Sequence, residues 1–268
     1  MASRLSPNGH KSAGFSRLGL RDFVGRVAAG ERDFARRVLD VSDCDPLEEI
    51  ARLRGLEFKG RPVDLASSIL ANLRAPGLYL PFLRARGADL RNADLRNAYL
   101  VESDLEGADL GDADLSNSNM EGSNLSHTDL GNGNLRQMNL KACDFTLSYM
   151  CNAYFRQGSL PLARFAKADL RNAFFGNCEL TGADFAGADL RNAYFKHARL
   201  SGASLRGADL RNCNFKDANL SGCDFRDADT ANAFFGNSNL AGARGLRASL
   251  MPAPIPRPSP ALRSNGRP

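Results

Sequence analysis

The 268-residue chain has no tryptophan and only three histidines, His10, His127 and His197. None of the three has another histidine nearby, so no histidine metal set and no Ser–His–Asp arrangement can be assembled. The six cysteines include no CxxC pair, which removes the usual zinc and dithiol-redox spacings. No phosphate-binding glycine loop or dinucleotide fingerprint occurs. No apolar run approaches the roughly 18 residues that a membrane-spanning helix needs. The start, MASRLSPNGHKSAGFSRLGL, has no acid and no continuous apolar core, so it is not a secretory signal peptide. These absences argue against an enzyme, a cofactor and a membrane span.

Charge is unevenly placed. The net +5 resides at the ends: residues 1–87 carry 15 basic against 10 acidic side chains, and residues 246–268 carry four arginines and no acid. Residues 88–245 carry 16 basic against 20 acidic, a net of −4. Between Asn97 and Leu135 there is no Lys or Arg at all.

What is present is a repeat. From Leu90 to Leu240 every fifth residue is Leu, Phe or Met, over 31 consecutive positions broken only by Thr230. Two residues before each of these centres stands a small residue, as in Ala88, Ser103, Cys143, Cys178 and Cys223, with Met138 the main exception. A period of five suits neither regular element. On a helix each step rotates the apolar residue by about 140°, and on a straight strand odd steps alternate faces. All centres face inward only if the chain turns a corner in every pentapeptide and coils around its own core, as a β-solenoid.

The lap length follows from the outward residues. ADLRNAFF at Ala168, ADLRNAYF at Ala188, ADLRNCNF at Ala208 and ADTANAFF at Ala228 start 20 residues apart. Four pentapeptides therefore close one coil, and like residues stack, with Asn side chains placed to form ladders. At ~4.8 Å per coil, residues 88–245 make about eight coils and a rod of roughly 37 Å. From Phe145 onward phenylalanine fills two opposite columns, one with Phe155, Phe175, Phe195, Phe215 and Phe235, the other with Phe145, Phe165, Phe185 and Phe225. Stacked rings there bury more apolar area per coil.

A(D/N)LXX in tandem, with a small residue two before Leu or Phe, resembles the pentapeptide-repeat family over residues 88–240. The resemblance implies a right-handed quadrilateral β-helix, an all-β solenoid. It also brings in members that protect DNA gyrase and topoisomerase IV by binding as duplex mimics, giving resistance to quinolones or to self-made toxins.

The flanks read differently. Residues 1–20 are expected to be disordered or, being rich in Ser and Arg, an export segment. Residues 21–87 read as a helical segment that caps or docks. Its clearest helix is DPLEEIARLRG at 45–55, with Asp45 as N-cap, Pro46 in the first turn, Glu48 at the capping-box position and Gly55 as stop. VDLASSILANLR at 63–74 reads as a second helix, and Phe23–Val27 and Phe34–Leu39 as weaker ones. GLYLPFLRARG at 77–87 brings apolar bulk to the first coil. The repeat register degrades at Arg244–Leu250, and the Pro-rich tail from 246 reads as disordered.

Inward Cys143, Cys178, Cys213 and Cys223 read as alanine substitutes, whereas Cys151 faces outward and is the one expected to react. Unpaired thiols fit a cytoplasmic setting. Two surfaces could bind a partner. An acidic belt holds Glu102, Asp104, Glu106, Asp109, Asp112, Asp114, Glu121 and Asp129. Over about two coils that is roughly 0.8 charges per Å, against about 0.6 for duplex DNA. The rod as a whole falls short of a duplex, because residues 131–245 carry 14 basic against 10 acidic side chains. An aromatic stripe, Tyr154, Phe174, Tyr194 and Phe234, stands at the outward position before the Phe155 column, interrupted by Asn214. Exposed aromatics at this spacing mark a protein contact or a homodimer face. The reading is a non-catalytic scaffold for a protein partner, with gyrase or topoisomerase IV binding and an exported effector as alternatives. No direct contact with nucleic acid is expected.

Overall fold

Every pentapeptide closes through one β-turn. In most of them the amide two before the next centre donates to the carbonyl of the preceding centre, as in Ala93 to Leu90 at 3.1 Å and Ala173 to Leu170 at 3.0 Å, whereas the Leu83 and Ser103 amides donate to the serine hydroxyl one coil on. The second residue after each centre, from Ser67 to Gly242, has φ between 54° and 76°. A positive φ at the second central position alone is the type II pattern. That conformation costs most side chains about 1–2 kcal/mol and is least costly for Gly and Asn. The recurrent Asn92, Asn132, Asn172 and Asn212 therefore answer first to the turn and only then to stacking.

These features come from a computed structural model that describes residues 15–40, 46–58 and 60–246. The start with His10, the segment with Cys44 and Asp45, and the Pro-rich tail lie outside the described residues. So do the expectations of an export segment, of an N-cap at Asp45 and of disorder over residues 1–14 and the tail; residues 16–20, also expected to be disordered, form instead a strand and the first residue of a helix.

From Asp64 to Arg244 the residue before each centre pairs in parallel with the residue 20 further on. The centre amide donates forward to the next coil, as Leu90 does to Asp109 at 2.7 Å, and the Asp109 amide donates back to Ala88 at 2.9 Å. The result is a four-sided parallel β-helix of about nine coils, roughly 43 Å long. Its sides are numbered here by their centres in one coil: side 1 at Met150, side 2 at Phe155, side 3 at Leu160 and side 4 at Phe165. All four are fully buried.

The phenylalanine columns stack as the sequence indicated. On side 2 Phe155 and Phe175 lie 4.6 Å apart at 8°, and on side 4 Phe165 and Phe185 lie 4.8 Å apart at 5°. Across the core the two columns meet edge to face, with Phe175 and Phe185 at 5.8 Å and 84°. Each ring thus contacts others in the two arrangements that aromatic quadrupoles favour.

The N-terminal part departs from expectation. Residues 63–74 are not a helix; they are coil, and so are residues 77–87. The apolar code was obscured because Leu73 and Leu83 take the position two before the centre while Ala75 and Ala85 take the centre, and all four are buried. The large and small inward residues have exchanged places within each side. Phe34–Leu39 is likewise not helical: a turn over Ala35 and Arg36, with Arg36 at φ 57°, leads into strand β2 (Arg37–Asp40), which pairs in parallel with β1 (Ser16–Gly19).

Helices occur as insertions between these irregular rungs. Helix α1 (Leu20–Ala28) connects β1 to β2 and buries Leu20, Phe23, Val24 and Val27. Helix α2 (Pro46–Ala51), continued by a 3₁₀ turn over Arg52–Gly55, lies between β2 and the rung at Ile69. Buried Glu49 ties the two helices together, accepting from Arg21 at 2.9 Å and Arg52 at 2.7 Å. Helix α1 packs against β1, β2 and α2, and its buried side chains join the same apolar core as the rungs.

At the other end Ala228, Ala233 and Phe235 are only partly buried. The middle of the aromatic core, around Phe175, therefore bears the tightest packing. Phe175→Ala should cost about 3–5 kcal/mol, read by urea denaturation. A loss below about 1 kcal/mol would mean the columns are not packed as described.

Candidate protein-interaction site

The eight acids of the belt do not share a face. Asp104 stands on side 4, Asp109 and Asp129 on side 1 and Asp114 on side 2, with Glu102, Glu106, Asp112 and Glu121 at three corners. Cations at its margins reach four of them. Arg86 meets Asp104 at 3.3 Å and Glu106 at 2.6 Å, Arg91 meets Asp109 at 3.5 Å, and Lys141 meets Glu121 at 2.8 Å. Burial raises the carboxyls of Asp109 and Asp129 above their ordinary value, whereas the hydrogen bond from Lys141 lowers that of Glu121. Glu102, Asp112, Asp114 and Asp129 have no ion-pair partner among the described residues. The belt therefore wraps sides 4, 1 and 2 and leaves side 3 without any of its acids, with half its charge compensated.

The outward Asp residues have a local task. Asp169 Oδ1 accepts from the Arg171 amide at 3.3 Å, and its two oxygens accept the Arg171 fork at 2.8 and 2.7 Å. Asp189–Arg191 and Asp209–Arg211 repeat this geometry. Each arginine also approaches the aspartate of the next coil, at 3.8 Å for Arg171–Asp189 and 3.6 Å for Arg191–Asp209. Side 1 is thus a neutralised ladder. Beside it Asn152, Asn172 and Asn192 each donate to the Asn one coil back, at 3.1 Å. Arg171, Asn172, Arg191, Asn192, Arg211 and Asn212 line an open groove of about 350 Å³ along the corner between sides 1 and 2.

The aromatic stripe runs down side 2 beside that groove. Tyr154 and Phe174 stack at 4.8 Å and 1°, and Phe174 and Tyr194 are tilted at 6.4 Å and 45°. Tyr154 is 45% exposed, Phe174 38% and Phe234 53%, with Tyr194 half-buried. Phe234 is separated from the other three by Asn214. Two glycines make room for rings of this kind. A Cβ on Gly131 would lie 2.8 Å from the Tyr149 ring, and one on Gly236 would lie 2.4 Å from the Phe234 ring.

Other exposed apolar residues escaped the sequence reading. Leu147 and Leu162 are 49% and 59% exposed and occupy left-handed turn positions at φ 62° and 61°. The signal was available: a leucine stands where the turn favours Gly or Asn. Tyr79 and Tyr99 form a further stack on side 3, at 5.0 Å and 12°.

Cys151 corrects an expectation. It is 5% exposed, and its thiol donates to Asp169 Oδ1 at 3.0 Å. Burial first, and then the bond to Asp169, push it up to about 11. An outward position is thus closed off by the contact with Asp169 of the next coil. The inward cysteines do more than replace alanine, since Cys143, Cys178, Cys213 and Cys223 each donate to a carbonyl of the previous coil at 2.9–3.0 Å.

The pentapeptide-repeat model matches residues 86–122, 118–157, 159–196, 188–227 and 218–244. These stretches span more than half of the chain, and the protein belongs to the pentapeptide-repeat family, which makes its solenoid a right-handed β-helix. Among solved structures it is similar to QnrB1, a plasmid-mediated fluoroquinolone resistance protein. The identity is 19% and the TM-score 0.50, over 67% of this chain and 88% of that one. It is also similar to HetL of the cyanobacterium Nostoc sp. strain PCC 7120, a pentapeptide repeat protein involved in heterocyst differentiation regulation. There the identity is 25% and the TM-score 0.33, over 85% of this chain and 99% of that one. Comparison with curated proteins finds no match. No helix among the described residues is long and apolar enough to cross a membrane.

With its thiol protonated and covered, Cys151 should resist iodoacetamide at pH 8 in the native protein and react once guanidinium unfolds it. Peptide mass spectrometry reads this directly. Rapid native labelling would show that the Cys151–Asp169 contact is open.

Proposed function

We propose that the protein is a non-catalytic scaffold that docks a protein partner on side 2 of its β-helix through Tyr154, Phe174 and Tyr194. The observation that carries this reading is the stripe itself. The same outward position holds Asp94, Asp114 and Asn134 in earlier coils, so the fold does not need rings there. Contiguous exposed aromatics are retained most readily where a partner covers them. The stripe is also suited to a second copy of the chain.

A duplex-mimic role toward gyrase or topoisomerase IV is the second reading. It is supported by the uncompensated Glu102, Asp112, Asp114 and Asp129. It is weakened by their number: only Asp112, Asp114 and Asp129 share sides 1 and 2 and the corner between them, with Glu102 on the corner between sides 3 and 4.

The variant Phe174→Ser/Tyr194→Ser should lose partners recovered by wild-type protein from host extract, and any self-association seen by light scattering, while keeping its far-UV spectrum. Associations identical to wild type, itself included, would contradict the stripe reading. Inhibition of gyrase supercoiling that Asp112→Asn/Asp114→Asn abolishes would favour the belt instead.

A further inference from the structure

The scaffold reading leaves the partner's chemistry open, and the surroundings of the stripe constrain it. The corner between sides 2 and 3 carries Arg136, Arg156, Lys196 and Lys216 in one column. None of these four has an ion-pair partner within 4 Å among the described residues, in contrast to Arg171, Arg191 and Arg211 at the other edge of side 2. Asp217, on the same corner beside Lys216, lies 3.9 Å from the His197 imidazole. The stripe is therefore bordered on one side by a neutral Arg/Asn groove and on the other by uncompensated cations.

The rings add to the same sign. Tyr154 and Phe174 lie face to face at 4.8 Å, so the faces between them are occupied and their edges point outward. The edge of an aromatic ring is the positive part of its quadrupole. Nucleic acid bases bind by stacking on open ring faces. A polypeptide instead can place carboxylates against ring edges and cations while its apolar side chains cover the stripe.

Resting on the scaffold reading, we propose that side 2 between Tyr154 and Lys216 binds an acidic polypeptide segment that also carries apolar or aromatic side chains. The cations draw in the carboxylates, and the ring edges supply the apolar contact. Attraction of this kind weakens with added salt.

The test uses the full chain and a fluorescein-labelled random copolymer of glutamate and tyrosine, read by anisotropy at low salt. Wild-type protein should bind it in preference to a lysine–tyrosine copolymer and to oligo(dT). Arg156→Glu/Lys196→Glu/Lys216→Glu should bind about tenfold or more weakly. A variant with the same change in net charge elsewhere, Arg164→Glu/Lys167→Glu/Arg199→Glu, should bind as wild type does. Far-UV spectra and thermal melts confirm that both variants fold. The proposal is overturned by no binding of the acidic copolymer, by preference for oligo(dT) or the basic copolymer, or by equal loss in the two triple variants. If ring variants lose the natural partner and the side 2 charge variant keeps it, the scaffold reading stands and the acidic-partner inference fails.

Discussion

The parallel hydrogen bonding of each side to the side 20 residues later is the constraint on which the rest of this structure depends. A centre amide can reach its acceptor, and Phe155 can lie on Phe175, only if four corners consume 20 residues. Each corner in turn requires one residue with left-handed φ. The repeat therefore answers two demands at once: the inward pair fills the core, and the turn residue permits the corner. Column behaviour, from the Asn ladder to the Asp–Arg forks, is a consequence of that exact lap length rather than an independent source of order.

The same constraint separates structural residues from those free to bind. Asp169, Asp189 and Asp209 hold their own turns and the arginines beside them, so an acidic count along the sequence overstates free negative charge. Arg171, Arg191 and Arg211 are held in the same forks. Cations without such partners, at Arg156, Lys196 and Lys216, lie beside rings that the turn does not require. On side 2, rings and unpaired cations thus stand at positions where neither the turn nor the core calls for them.

Much of the fold was legible because the period of five admits no helix or straight strand, and because the Phe columns are written in register. The missed coils at residues 63–87 show where legibility ends. Ala75 and Ala85 occupy centres while Leu73 and Leu83 occupy the small position, which preserves inward volume but breaks the letter pattern. The stripe residues could be placed from register alone. The covering of Cys151 could not, since it depends on the hydrogen bond to Asp169 in the next coil. The distribution of the acidic belt around the corners was implicit in the register, yet a linear charge density conceals it.

Deleting different lengths of chain tests the lap directly. Removing residues 168–187 takes away one whole coil and leaves every column aligned. Removing residues 168–172 takes away one side and sets later Phe columns over Leu columns. Thermal melts of the two variants are the measurement. The larger deletion should melt cooperatively and at the higher temperature, close to the full chain. A smaller deletion that is equally stable or more stable would contradict the 20-residue register as the organising constraint.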